Sequence, residues 1–226
     1  MENKTTTTNN ITELVFILDR SGSMSGLESD TIGGFNSMLQ KQQSQEGECR
    51  ITTVLFDDKH EILHDRLDIK AVSPITDKEY YVRGSTALLD AIGITINKIG
   101  NTQKQSKPEY RADKVLFVIT TDGMENASRE FDYAKIKSMI EHKKEKYNWE
   151  FIFLGANIDA VDVANRFGIA KNRAQSFHND SAGIALNYES VSETVLDYRA
   201  APPKASLSDN WSEKIEKDYK KRSGKN

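Results

Sequence analysis

Apolar runs of strand length alternate with helix-period patterns along this chain, and a polypeptide written that way has few folds open to it. The run from Leu14 to Leu18 is followed by Ile32, Phe35, Met38 and Leu39 at intervals of three and four, which predicts a helix from about Leu27 to Gln43. Ser25 and Glu28 have the spacing of a capping box at its start. Ile51 to Phe56 predicts a second strand. After the turn Asp57-Asp58-Lys59, the segment to Ile69 is expected to return beside it, with Leu63, Leu67 and Ile69 on one face. Thr86 opens a further helix, with Leu88, Leu89, Ile92, Ile96 and Ile99 on one side. The run from Lys114 to Thr120 contains Val-Leu-Phe-Val-Ile, which predicts a central strand covered on both faces. A helix from Phe131 to Lys146, a strand from Glu150 to Leu154, a helix from Asp159 to Phe167 closed by Gly168, a short strand from Ala174 to Phe177 and a helix from Ser181 to Tyr198 complete the pattern. All four prolines fall between these elements, which supports the division. Strands alternating with helices imply an α/β fold, a mainly parallel sheet with helices on both faces.

The 226 residues suit one such domain, expected over 11–200, with a polar lead-in over 1–10 read as disordered and a charged tail over 201–226. The net charge of −3 gives no basic face, so nucleic acid is not an expected partner. No stretch has the length of a membrane span, and the first ten residues lack the apolar core of a secretory signal. A single cysteine, Cys49, cannot form an internal disulfide and is read as a small, partly buried side chain. These features together predict a cytoplasmic protein.

Three segments carry the candidate chemistry. Asp19, Ser21 and Ser23 form D-x-S-x-S directly after the first strand; Thr86 sits in Arg83-Gly-Ser-Thr-Ala87; Asp122 follows the fourth strand in Thr121-Asp-Gly123. Each of these residues alone is commonly a cap or a turn former. In a doubly wound sheet, however, the carboxyl ends of the first and fourth strands meet where strand order reverses, and ligands collect there. Alternate residues of an extended loop point the same way, so Asp19, Ser21 and Ser23 can face one point. Two carboxylates and three hydroxyls are hard oxygen donors, suited to Mg²⁺, Mn²⁺ or Ca²⁺ and not to Zn²⁺. The set is incomplete for an octahedral ion, so water or an acidic group of a partner must complete it.

This constellation resembles the von Willebrand factor A (vWA) domain and its metal-ion-dependent adhesion site (MIDAS), over roughly residues 12 to 198. Asp19, Ser21 and Ser23 match the D-x-S-x-S motif, Thr86 the threonine, and Asp122 the last aspartate. The wording Leu-Asp-Arg-Ser-Gly-Ser-Met looks like the intracellular prokaryotic branch, which includes proteins encoded near tellurite-resistance systems. The resemblance implies a Rossmann-like sheet of five parallel strands with one short antiparallel edge strand, six in all. It also implies bound Mg²⁺ or Mn²⁺, contacted by the serines and the threonine while the aspartates often act through water, and a partner's Asp or Glu closing the shell. The expected function is therefore a non-enzymatic, metal-dependent protein-binding module.

Two enzymatic alternatives remain on the sequence. A metal-dependent phosphohydrolase would also place acids at strand ends, but no histidine or lysine stands beside Ser21 or Ser23 to activate them. Arg20, inside the loop, could face a phosphate but is expected to point outward. His60-Glu-Ile-Leu-His64 matches the H-E-x-x-H zinc-peptidase pattern, which requires a helix where a returning strand is expected. Asp90 and Glu125, near the motif, are candidates for supporting the site. In the tail, Trp211, Ile215 and Tyr219 share one helical stripe, which suggests a docking helix, covered by this domain or by self-association.

Overall fold

The computed structural model describes residues 10–224, and the lead-in expected over 1–10 lies, but for Asn10, outside the described residues. Six strands form one sheet: β1 (Thr12–Asp19), β2 (Cys49–Phe56), β3 (His60–Asp68), β4 (Lys114–Thr121), β5 (Glu150–Ala156) and β6 (Ala174–Phe177). The order is β3-β2-β1-β4-β5-β6, with every pairing parallel except β2 with β3. Among the described residues six α-helices accompany them: α1 (Glu28–Gln43), α2 (Leu88–Gln105), α3 (Tyr133–Tyr147), α4 (Ala160–Arg166), α5 (Ser181–Ala200) and α6 (Glu213–Ser223). The doubly wound α/β sheet expected from the sequence is the sheet observed.

The strand side chains divide by parity because successive residues point to opposite faces. Leu14, Phe16 and Leu18 of β1 join Leu116, Val118, Ile152 and Leu154 in a core closed by residues of α1 and α5. Val15 and Ile17 join Phe117, Ile119, Phe151 and Phe153 in a second core beneath α2, α3 and α4. Burial on both faces explains why β1 and β4 read as continuous apolar runs.

Two sequence expectations fail locally. Ser25 caps nothing: residues 22–24 coil into a single tight turn, Gly26 follows at φ +89°, and α1 begins at Glu28 with Leu27 at its cap position. Glu28 instead accepts a bond from the Gly26 N–H at 2.7 Å. In β3 the pairing register with β2 shifts twice, between Thr53 and Val54 and between Ile51 and Thr53 of β2. Side-chain parity therefore breaks, as it does at bulges. Leu67 is 43% exposed, and His64 is buried in its place. Arg66, at φ +50°, turns its guanidinium onto the buried Glu13 carboxylate at 2.8 Å.

The tail folds back on the domain. Leu207, Trp211 and Ile215 are buried in the α1/α5 core, the Trp211 indole N–H donates to the Asn172 carbonyl at 2.8 Å, and the Tyr219 ring stacks on His178 at 4.8 Å. The charged side chains on the rest of α6 form i,i+4 pairs such as Glu213–Lys217 and Glu216–Lys220. Cys49, expected to be partly buried, is 1% exposed, and burial pushes its thiol pKa up to about 12. No helix among the described residues is long and apolar enough to cross a membrane.

An 11-residue helix with one narrow apolar stripe is marginal alone, so its order depends on these buried anchors. Trp211→Ala is expected to cost about 3–5 kcal/mol of unfolding free energy, as truncation of a buried tryptophan does. Urea denaturation followed by circular dichroism measures it, and trypsin cleavage after Lys214 should accelerate in the same variant.

Candidate metal centre

The parallel pairing of β1 with β4 brings their carboxyl ends side by side, with Leu18 opposite Thr120. Asp19, the last residue of β1, is 2% exposed. One of its carboxylate oxygens accepts the Ser21 backbone N–H at 2.7 Å, which folds the loop back over the strand end. The other accepts the Thr121 hydroxyl at 2.6 Å. The Ser21 and Ser23 hydroxyls are 3.1 Å apart, and Ser23 donates to Asp122 Oδ1 at 2.5 Å. The second Asp122 oxygen accepts from the Asn179 amide at 3.1 Å. Thr86 is buried, and its backbone N–H donates to the Asn126 side chain at 2.9 Å. A Cβ at Gly123 would lie 3.5 Å from the Ser23 hydroxyl and 3.9 Å from that of Thr86, so these two hydroxyls converge over a glycine. Asp19, Ser21, Ser23, Thr86 and Asp122 thus stand around one point of the rim. Thr121 and Asn179 hold the two carboxylates and were not singled out from the sequence. The sequence reading ends the fourth strand at Thr120, and β4 runs one residue further to bring Thr121 to the site, whereas nothing local marks Asn179.

The electrostatics of the pair are unusual. Burial raises the pKa of both Asp19 and Asp122 and outweighs the hydrogen bonds that lower them, from Ser21 and Thr121 to Asp19 and from Ser23 and Asn179 to Asp122. Among the described residues, neither carboxylate forms an ion pair with a lysine or an arginine. Two acids share a buried rim with hydroxyl, amide and backbone N–H donors and no counter-charge. No group of three or more His, Cys, Asp or Glu capable of holding a metal occurs among the described residues. The donor set is accordingly hydroxyl-rich, and the residues present fit a hard divalent cation.

Arg20, expected to point outward, is fully buried and turns away from the site. Its guanidinium pairs with Asp57 at 2.9 Å and Glu61 at 2.8 Å, because the β2–β3 turn presents the first acid and the start of β3 the second. Asp57 also accepts from Arg83 at 2.7 Å. Burial pushes the Asp57 pKa up, but the hydrogen bonds donated by Arg83, the Lys59 backbone and Arg20 outweigh it and leave it below the usual carboxylate range. Asp90 and Glu125 brace the loops. Asp90 accepts the backbone N–H groups of Arg129, Glu130 and Phe131. Glu125 accepts those of Leu89, Ala127 and Ser128. Both carboxylates are thereby spent on backbone and not on Asp19 or Asp122.

The H-E-x-x-H stretch lies on strand β3. His60 is exposed, while His64 is buried, stacked on Phe35 and bonded to the Thr53 hydroxyl at 3.0 Å. The two imidazoles do not share a face, as a zinc peptidase would need.

No protein-family profile matches the chain, and no curated protein does. Solved structures do match its fold. Manganese-loaded TRAP protein of Plasmodium vivax superposes with a TM-score of 0.57 at 17% identity, covering 79% of this chain and 73% of that one. A von Willebrand factor type A protein from Catenulispora acidiphila gives 0.56 at 14%, covering 82% and 42%. Proximal thread matrix protein 1 of the mussel byssus, in a form with a zinc-occupied MIDAS motif, gives 0.52 at 13%, covering 82% and 46%. The chain spans less than two thirds of the length of most matched structures. At these identities the likeness establishes the fold, which is that of a vWA domain.

Burial lowers the His64 pKa below the ordinary imidazole range, so the ring is neutral in the folded protein. Acidification below about pH 6.5 then protonates the unfolded chain first, and the stability His64 contributes is lost as pH falls through that window. The drop in urea midpoint between about pH 7 and about pH 5 should be smaller in His64→Gln than in the unsubstituted protein.

Proposed function

We propose that this chain is a divalent-cation-dependent protein-binding module without catalytic activity. The observation that carries this reading is the pair of buried carboxylates, Asp19 and Asp122, held by neutral donors and, among the described residues, paired with no cationic side chain. An ion would supply the missing positive charge. Asp19, Ser21, Ser23, Thr86 and Asp122 would hold it, and Mg²⁺ or Mn²⁺ suits the oxygen set, with Ca²⁺ a third candidate. Bound there, the cation would attract a carboxylate strongly where water is excluded. The matching partner is a protein that presents an Asp or Glu to the rim. Ser23 and Met124 are exposed beside the site, Met124 by 61%, and give such a partner a place to sit. The sequences around Asp19 and the unpaired cysteine favour a cytoplasmic, tellurite-resistance-associated type of vWA protein, and the metal named in two of the structural relatives supports the metal reading.

The chemistry argues against turnover. Among the described residues neither Ser21 nor Ser23 bonds a histidine or lysine, the carboxylate that Ser23 does meet, Asp122, is one this reading gives to the cation, and Arg20 is committed to Asp57 and Glu61. Arg20 is therefore not free to hold a phosphate.

Titration calorimetry with Mg²⁺ and with Mn²⁺ tests the assignment. The protein should bind one ion, and Asp19→Ala and Asp122→Ala should each bring binding below detection while leaving the circular dichroism spectrum unchanged. A protein retained from host lysate should be released by EDTA and absent with either variant. Unchanged affinity in both variants would remove the site, and phosphomonoester hydrolysis lost in Asp19→Ala would replace binding with catalysis.

A companion measurement reads the charge directly. Because burial raises the Asp19 pKa, its ionised form weakens the metal-free fold as pH rises through the unfolded and then the folded pKa. Metal-free Asp19→Asn should therefore melt no lower than the unsubstituted protein near neutral pH. Added Mn²⁺ at about 100 times its dissociation constant should stabilise only the unsubstituted protein, by about 2.7 kcal/mol.

A further inference from the structure

Each of the two loops that carry the hydroxyls is tied to the turn between β2 and β3. The Arg20 backbone N–H donates to the Phe56 carbonyl at 2.9 Å, and its side chain donates to Asp57 Oδ2 at 2.9 Å, one residue before Ser21. On the other loop, Arg83 Nε donates to the same Asp57 oxygen at 2.7 Å. The Ala87 N–H, directly after Thr86, donates to the Asp57 carbonyl at 2.8 Å. The remaining Asp57 oxygen accepts the Lys59 N–H at 2.9 Å, which fixes the turn itself. Two backbone bonds join the loops to each other: Arg83 N–H to the Arg20 carbonyl at 2.9 Å and Gly22 N–H to the Gly84 carbonyl at 3.2 Å. Gly84 adopts φ +66°, a conformation that strains any residue with a side chain, and a Cβ there would also push the exposed Asp58 carboxylate, 2.4 Å away, aside. Tyr81 lies against both guanidiniums, at 5.5 Å from Arg20 and 5.4 Å from Arg83.

We propose that Asp57, through Arg20 and Arg83, is the positioning residue that sets the separation of the Ser21/Ser23 loop from the Thr86 loop, and so the number of protein oxygens offered to the cation. The proposal rests on the metal-site reading above. Among the described residues Asp57 hydrogen-bonds to none of the five site side chains, and its effect passes through the arginines and the Ala87 backbone. The physical basis is that two cations share one carboxylate oxygen in a site where Asp57 and Arg20 are fully buried. Without that anion the two guanidiniums lose the oxygen they share, and the half-exposed Glu61, 2.8 Å from Arg20 and 3.8 Å from Arg83, is left as the weaker tie between them. The loops are then free to part by moving Arg83, which is 42% exposed.

Mn²⁺ binding followed by water-proton relaxation, which rises with the number of water molecules on the ion, tests this in the full chain. Asp57→Asn and Arg83→Gln are compared with the unsubstituted protein and with Asp19→Ala, and melting by circular dichroism reports the fold. In Asp57→Asn the dissociation constant should rise by about 10-fold or more, the scale of losing a residue that orients metal ligands. Relaxation per bound ion should rise with it, because water replaces a hydroxyl ligand. Arg83→Gln should shift both quantities the same way by less. A merely structural role would lower the melting temperature and leave relaxation per bound ion unchanged. Should Asp57→Asn fail to fold, Arg83→Gln decides, since its side chain is part-exposed. Unchanged affinity and relaxation in Arg83→Gln and in any folded Asp57→Asn, with binding lost in Asp19→Ala, would overturn the proposal alone. An unsubstituted protein that takes up no Mn²⁺ would instead overturn the metal site and this proposal with it.

Discussion

The side-by-side pairing of β1 and β4 is the constraint on which the rest of this rim depends. Strand order reverses there, so the loops after the two strands leave toward opposite faces and open a crevice between them. Asp19 and Asp122 are the residues that the chain places at its two lips. Their carboxylates could have been neutralised by an arginine, as acids at buried positions often are. Arg20 is adjacent and is turned instead onto Asp57. The fold thus spends its nearest cation elsewhere and leaves the crevice acidic, which is the property a cation site requires and a structural ion pair would remove.

Much of this was legible in the sequence because it follows from period and order. Apolar runs fixed the strands, and the chain order of helices and strands placed the ends of β1 and β4 together. The motif residues could therefore be assigned to one location without knowing any side-chain rotamer. What escaped were features set by partners distant in sequence. Arg20 looked like a surface residue because its acids lie 37 and 41 positions away, across the sheet. Asn179 carries no local signature, yet it bonds Asp122 from the loop after β6. Leu67 was expected inside because alternation assumes an unbroken ladder, and the shifts in β3 break it. Ser25 has the spacing of a cap, but the preceding tight turn uses up the residues that would have brought it to the helix.

Asp90 and Glu125 show how the same residue types divide between chemistry and scaffolding. Asp90 lies in the first turn of α2, Glu125 in the loop after β4, and Asp19 and Asp122 at the ends of β1 and β4, all on the same rim. Asp90 and Glu125 each accept three backbone N–H groups, which satisfies them and fixes the segment from Ala127 to Phe131 against α2. Asp19 accepts one backbone N–H and one hydroxyl, and Asp122 one hydroxyl and one amide. Carboxylates with saturated backbone contacts are braces, whereas those with few and neutral donors keep lone pairs for a ligand.

The tail helix has a consequence for the sheet's margins. An edge strand offers unpaired backbone groups that another chain can extend. At one margin, β3 is bulged twice and its outer residues include Glu61, Asp65 and Asp68, so a second strand would meet charge and broken register. At the other margin, β6 is only four residues long, and α6 lies against it, with Tyr219 on His178. The last helix therefore serves as a cover for the one margin that has no bulge to protect it. A chain shortened before Trp211 would lose that cover, and the harm would be read in solubility and in strand-to-strand aggregation before it was read in the metal site.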